Sequence, residues 1–150
     1  MVAGQVAWCL LGRLVQVPKW GWAVWEDPWS ERVIGAAIAV HRELGPGLLE
    51  STYEACFCGE LTERGIPFER QKAVPLRYRG LVLDEGMRLD VLVGGELVVE
   101  LKSVERFIDI HSAQVLTYLK MGGYPVGLLI NFNVPLLRRG IRRFVYQAPE

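Results

Sequence analysis

The sequence is short of the features that would take it out of the ordinary globular class. Its three cysteines, Cys9, Cys56 and Cys58, make no even framework and no CxxC pair. A disulfide scaffold and a cysteine-based zinc module are therefore not expected. Histidine is scarce as well: His41 and His111 stand alone, without zinc-ligand spacing. All three cysteines read as reduced thiols, which predicts a cytoplasmic protein. The longest apolar runs, Gly4–Gly12 and Gly122–Ile130, fall far short of the roughly 18 residues that suggest a membrane span, so no membrane partner is expected. No Lys or Arg precedes Arg13, so the positive start of a secretory signal is missing. Surplus charge is also lacking, because 17 basic residues balance 17 acidic ones. No global field draws in nucleic acid, and such a partner must be held by a local patch. Lysine is rare, with four against 13 arginines. Arginine suits planar, bidentate contacts to carboxylate or phosphate.

What is present fits one folded domain. The chain has 150 residues, 51% hydrophobic and 23% charged, enough to bury a core without staples. All five tryptophans (Trp8, Trp20, Trp22, Trp25 and Trp29) lie in the first 29 positions. That step divides the chain into a Trp-rich N-terminal extension, 1–28, and a domain, 29–150. A cloning or start-site artefact is the competing reading of the extension.

From Ser30 the punctuation is regular. Ser30 can cap a helix running through Leu44, with Glu31 in its first turn. Gly45-Pro46-Gly47 breaks it, and a second helix is expected from about Leu48 to Arg64, closed by Gly65. Strands are expected at Pro67–Tyr78, Leu81–Asp84, Met87–Val93 and Glu96–Ser103. A third helix covers Ile108–Met121. The apolar run Val126–Phe132 reads as a strand buried on both faces, and Ile141–Tyr146 as a last strand. This order predicts an α/β fold, a mixed β-sheet flanked by helices.

Three places could carry chemistry. Glu50 shares a helical face with Tyr53, Phe57 and Leu61, which points it toward the core, where a carboxylate must be paired, protonated or metal-bound. A first-turn glutamate favoured by the helix dipole is the alternative. Asp90 interrupts the apolar strand Arg88–Val93, and Glu100 alternates with Val99 and Leu101 so that it shares a face with Lys102. A solvated ion pair is the alternative here, but apolar residues on both sides of the strand argue against it. On the third helix His111, Gln114 and Tyr118 form a polar stripe. It is an ordinary solvated face unless it meets the carboxylates. His41 reads as a helix-packing histidine.

In order, Glu50, Asp90, Glu100-x-Lys102 and Gln114-x-x-x-Tyr118 resemble the PD-(D/E)XK nuclease superfamily. More closely, Gly47-Leu48-Leu49-Glu50-Ser51-Thr52-Tyr53 is similar to the motif that names the GxxExxY proteins. Gln114–Leu119 and Gly127–Asn133 resemble that family too, and the likeness covers about residues 29–146. Leu89 stands where the superfamily's name has Pro. The resemblance implies a restriction-endonuclease-like fold and Mg²⁺- or Mn²⁺-dependent hydrolysis of phosphodiester bonds. It implies Asp90, Glu100 and the Leu101 carbonyl as metal ligands, with Glu50 joining directly or through water. Lys102 would orient the attacking water and stabilise negative charge. Gln114 and Tyr118 would hold Lys102, water or phosphate. A non-catalytic nucleic-acid-binding or protein-interaction module on the same fold is the alternative.

Two geometric expectations follow. With a two-residue Gly94-Gly95 turn, Asp90 would oppose Val99, and Asp90 and Glu100 would face opposite ways. A shared metal site therefore requires an odd-length loop, with glycines at positive φ. The nucleic-acid partner, DNA or RNA, is expected at the densest basic cluster, Arg138, Arg139, Arg142 and Arg143. Arg70, Lys72, Arg77 and Arg79 form the alternative groove.

Overall fold

The computed structural model describes residues 27–146, together with the backbone of two short paired strands, β1 (Val6–Ala7) and β2 (Val15–Gln16). The rest of the Trp-rich extension lies outside the described residues. Helix α1 (Ser30–Leu44) starts where expected, but its cap is not Ser30. Asp27 does that work: its carboxylate accepts the Trp29 and Ser30 N–H groups at 2.9 and 2.7 Å and the Ser30 hydroxyl at 2.5 Å. The same carboxylate pairs with Arg143 at 2.8 Å, with both side chains largely buried. Asp27, placed in the extension by composition, thus packs with the helix and strand that follow it.

Burial alone would raise the Asp27 pKa, but hydrogen bonds from Arg143, Ser30 and Trp29 outweigh it and hold the carboxyl below its ordinary value. A depressed carboxyl stabilises the fold above its unfolded pKa, and the gain is lost as pH falls through the folded value. Asp27→Ala is therefore expected to cost about 3–5 kcal/mol at neutral pH, read by urea denaturation, with the penalty shrinking as pH falls below the ordinary carboxylate range. A pH-independent penalty would assign the effect to packing instead.

Helix α2 (Glu50–Glu63) starts two residues later than expected. It ends as expected: Gly65 takes φ 63°, and Ile66 N–H reaches back to the Leu61 carbonyl at 3.0 Å. The main sheet has five strands in the order β3 (Phe68–Tyr78), β4 (Leu81–Val93), β5 (Leu97–Lys102), β6 (Val126–Asn131) and β7 (Ile141–Val145). Only β5 and β6 run parallel, joined through α3 (Asp109–Gly122), and the other neighbours are antiparallel. This is the expected α/β architecture, a mixed sheet flanked by helices. One expectation fails. Leu81–Asp84 and Met87–Val93 are a single strand, because Asp84-Glu85-Gly86 forms a bulge rather than a turn. The register shifts between Val74 and Leu76, where Pro75 has no N–H to give. A Cβ on Gly86 would overlap the Leu76 side chain, so the bulge needs glycine.

Two cores sandwich the sheet. On one face Val33, Ala37, Tyr53, Phe57 and Leu61 from α1 and α2 pack against Val91, Val93, Val99 and Leu101. On the other, Val115 and Leu119 of α3 pack on Leu92, Val98 and Leu129. His41 is buried in this packing, its Nε2 2.7 Å from the Val134 carbonyl oxygen, as a structural histidine. Cys56 is exposed and Cys58 buried, as their spacing requires, and both are free.

Candidate active site

The β4–β5 connection has an odd number of residues. Val93 pairs with Leu97, Leu92 with Val98 and Val91 with Val99, so Gly94, Gly95 and Glu96 form the loop. Gly94 and Gly95 take φ 59° and 72°, and Glu96 N–H closes onto the Val93 carbonyl at 3.1 Å. Extending that register sets Asp90 opposite Glu100, so both carboxylates reach one site. The ladder itself stops at Val91 and Val99. Beyond it the side chains complete the pairing: Glu100 Oε1 accepts the Asp90 N–H at 3.1 Å, and Asp90 Oδ2 accepts the Leu101 N–H at 2.9 Å. Each carboxylate is thereby fixed by backbone of the facing strand.

The loop before α2 brings Glu50 in. Gly47 turns at φ 101°, and Glu50 is the first helical residue. The Tyr53 hydroxyl donates to the Gly45 carbonyl at 2.5 Å and accepts the Leu48 N–H at 3.2 Å, while its ring stacks on Phe132 at 4.6 Å. The Ser103 hydroxyl donates to the Leu48 carbonyl at 2.6 Å, tying this loop to the end of β5. Glycine, glutamate and tyrosine in this motif thus serve turn, carboxylate and brace. Tyr53, Phe57 and Leu61 are fully buried, but Glu50 is exposed, contrary to the face argument. At the first helical position its side chain overhangs the end of the core.

The charges of the site act on one another. Burial first, and then the Asp90 carboxylate, push the Glu100 pKa up to about 9. Desolvation raises Glu50; Lys102 opposes that and Asp90 adds to it. Desolvation raises Tyr118 against its hydrogen bond from Gln114, and Glu100 and Asp90 push the same way. Desolvation, then Lys102 and Arg142, lower His111. Glu50 from α2 and Tyr118 from α3 therefore both sense Asp90. Gln114 Nε2 donates to the Tyr118 hydroxyl at 2.9 Å, and among the described residues neither one hydrogen-bonds to Lys102. Half-buried Lys102 has no ion pair within 4.0 Å among the described residues.

The arginine cluster does not gather into one clamp. Neighbouring residues of a strand point to opposite faces. Arg143 is committed to Asp27, whereas Arg142 lies over the Phe107 ring at 4.8 Å and donates to Ser112 at 3.2 Å on the α3 side. Arg138 and Arg139 sit exposed on the short 3-10 turn Leu137–Gly140. Sequence reasoning passed over Glu54 and Gln71, and named Arg70 only within the alternative groove. Buried Glu54 accepts Arg70 Nε at 2.7 Å and Gln71 Nε2 at 2.9 Å. Its one signal was a glutamate a helical turn after Glu50. Asn131 was also missed: its side chain holds the Val104 backbone at 3.1 and 2.8 Å and so shapes the segment after Lys102.

The donor chemistry suits a hard divalent cation. Two carboxylates converge, and burial first, then the Asp90 charge, holds Glu100 back from ionising. Among the described residues no third His, Cys, Asp or Glu completes a ready cage. A small cation that keeps several waters needs only one or two carboxylates.

A protein-family model of the PD-(D/E)XK nuclease superfamily matches residues 27–144. The chain belongs to the PD-(D/E)XK nuclease superfamily. The match starts at the Asp27 cap and ends within β7, so it takes in all three flanking helices and all of the five-stranded sheet but Val145. Nucleases of this superfamily generally use divalent metals. No curated protein and no solved structure shows a significant match to the chain. Among the described residues no helix is long and apolar enough to cross a membrane.

Proposed function

We propose that this PD-(D/E)XK domain hydrolyses phosphodiester bonds in nucleic acid with Mg²⁺ or Mn²⁺. The observation that carries the reading is the Asp90–Glu100 pair, cross-bonded to the facing backbones, with Lys102 two residues on. Asp90, Glu100 and the Leu101 carbonyl would hold the cation, with Glu50 direct or through water. A cation held there supplies Lewis-acid activation of water and neutralises phosphate charge. Lys102 orients the attacking water and balances charge building on the phosphate. Gln114 and Tyr118, already hydrogen-bonded to each other, present polar atoms to the phosphate beside them. The braced Gly47–Tyr53 loop supports placing the chain among the GxxExxY proteins. Arg142, on the His111 side, is the first candidate for a backbone phosphate contact, and Arg138 and Arg139 are the next. Free, exposed Cys56 supports a cytoplasmic setting, and residues 1–28, set apart by composition, read as an N-terminal extension whose Asp27 packs against the domain.

The scattered arginines and zero net charge favour one second reading, a binding module without turnover. Labelled DNA and RNA incubated with Mg²⁺ or Mn²⁺ separate the two. Cleavage that needs the metal and disappears in Lys102→Ala supports the enzyme. Binding without cleavage by the unaltered chain supports the module.

A further inference from the structure

Gln71 is a mid-strand residue with the backbone of a turn. Its φ is 51°, in the left-handed region that a side chain rarely occupies. Among the described residues the other non-glycine residue with positive φ, Arg79, sits in the β3–β4 hairpin turn, where that conformation belongs. Nothing comparable calls for it at Gln71. The β3–β4 ladder pairs Arg70 with Val91 and Lys72 with Leu89 and skips the step between, which is Gln71 opposite Asp90. Asp90 is therefore released from regular pairing with both neighbouring strands.

The strained backbone aims an amide. Gln71 Nε2 lies 2.9 Å from Glu54 Oε2 and 3.5 Å from Asp90 Oδ1. Only an NH₂ group can serve two carboxylates at once, so the orientation of the amide is settled by its partners. The Asp90 contact is long and adds direction more than energy. Glu54 is buried and held from its other oxygen by Arg70, while Arg88 Nη1 donates to the Gln71 carbonyl at 2.9 Å. Residues held in a sparse backbone conformation persist when their surroundings over-determine them, and they cluster at functional sites.

We propose that Gln71 is a positioning residue that turns the Asp90 carboxylate toward the metal, anchored through Glu54 to Arg70. The inference rests on the reading of Asp90 as a metal ligand. Asp90 Oδ2 is held by the Leu101 N–H and Oδ1 by the Gln71 amide, so the carboxylate plane is set from both neighbouring strands. Partners of this kind commonly change metal affinity ten- to a hundredfold when removed.

The test is Mn²⁺ titration calorimetry on the full chain, with metal-free thermal melts alongside. The proteins are the unaltered chain, Asp90→Asn, Gln71→Gly and Gln71→Asn. Glycine relieves the φ strain and removes the amide. Asparagine tolerates the backbone but is too short to span both carboxylates. The two readouts are expected to move in opposite directions. Gln71→Gly should melt at the same or a higher temperature without metal, yet bind Mn²⁺ about tenfold more weakly. Gln71→Asn should show the same weakening. A merely structural role would lower the melt and spare the affinity. Unchanged Mn²⁺ affinity in both Gln71 variants, with binding lost in Asp90→Asn, overturns this inference and leaves the metal-site reading standing. No difference between the unaltered chain and Asp90→Asn overturns that reading itself, and the inference with it.

Discussion

Lys102→Ala is expected to lower metal-dependent cleavage about 10²- to 10³-fold while leaving the fold intact, the range seen when one preorganised electrostatic donor is removed. Lys102 ends β5, half-buried, and its charge reaches Glu50, Glu100 and His111. No carboxylate holds it within 4.0 Å among the described residues, so its ammonium is available to a water or a phosphate. Its removal leaves Asp90 and Glu100 in place, because the facing backbone N–H groups hold them. Mn²⁺ affinity should therefore change far less than kcat. Single-turnover cleavage and titration calorimetry on the same preparations check this. A variant that cleaves as fast as the unaltered chain would remove Lys102 from the chemistry, and one that loses metal binding in parallel would give it a structural role.

Glu100→Gln should stabilise the metal-free protein and abolish its activity. Burial and Asp90 raise the Glu100 carboxyl from 4.5 in the unfolded chain to about 9 in the fold. The native state then holds a proton that the unfolded state releases between those values. The contribution of Glu100 is fully present below the unfolded pKa and is lost as pH rises toward about 9. The loss is at most about 1.4 kcal/mol per pH unit, and a neutral glutamine does not suffer it. At pH 8 without metal the variant should melt at least about 5 °C above the unaltered chain, and near pH 4 the two should converge. Millimolar Mn²⁺ should reverse the order at pH 8 by stabilising only the chain that keeps its carboxylate. Equal melts at pH 8 with and without Mn²⁺ would dismiss Glu100 as a strained carboxylate waiting for a cation. This is the trade of stability for function expected at an active site.

Much of this site could be read before any coordinates. An aspartate inside an apolar strand, and a glutamate and lysine alternating in the next, break the local rules of burial, and such breaks mark function. The odd-length glycine loop followed from period-2 alternation once Asp90 and Glu100 were expected to share a site, since two carboxylates can do so only in one register parity. The helix around Tyr53, Phe57 and Leu61 and the strand at Val126–Asn131 were legible from apolar periodicity. Helix and strand ends were less so. Ser30 looked like a cap because serine often is one, but the stronger acceptor was Asp27, three residues earlier.

The sequence by itself determined the order of the main helices and strands, apart from reading β4 as two, and the two-sided core, and it singled out Asp90, Glu100 and Lys102 as candidates, because periodicity and the cost of burying charge act over a few neighbouring residues. Tertiary structure alone decided the long-range pairings. Glu50 looked buried by its helical face, yet it overhangs the core end, because a face argument does not know where the opposing surface stops. The four arginines near the C-terminus looked like one patch. Strand alternation and an aspartate more than 100 residues away divide them. The relay from Arg70 through Glu54 to Gln71 and Asp90 joins a helix to two strands. No local pattern announces it, since hydrogen bonds between distant segments depend on where the packed sheet brings their atoms.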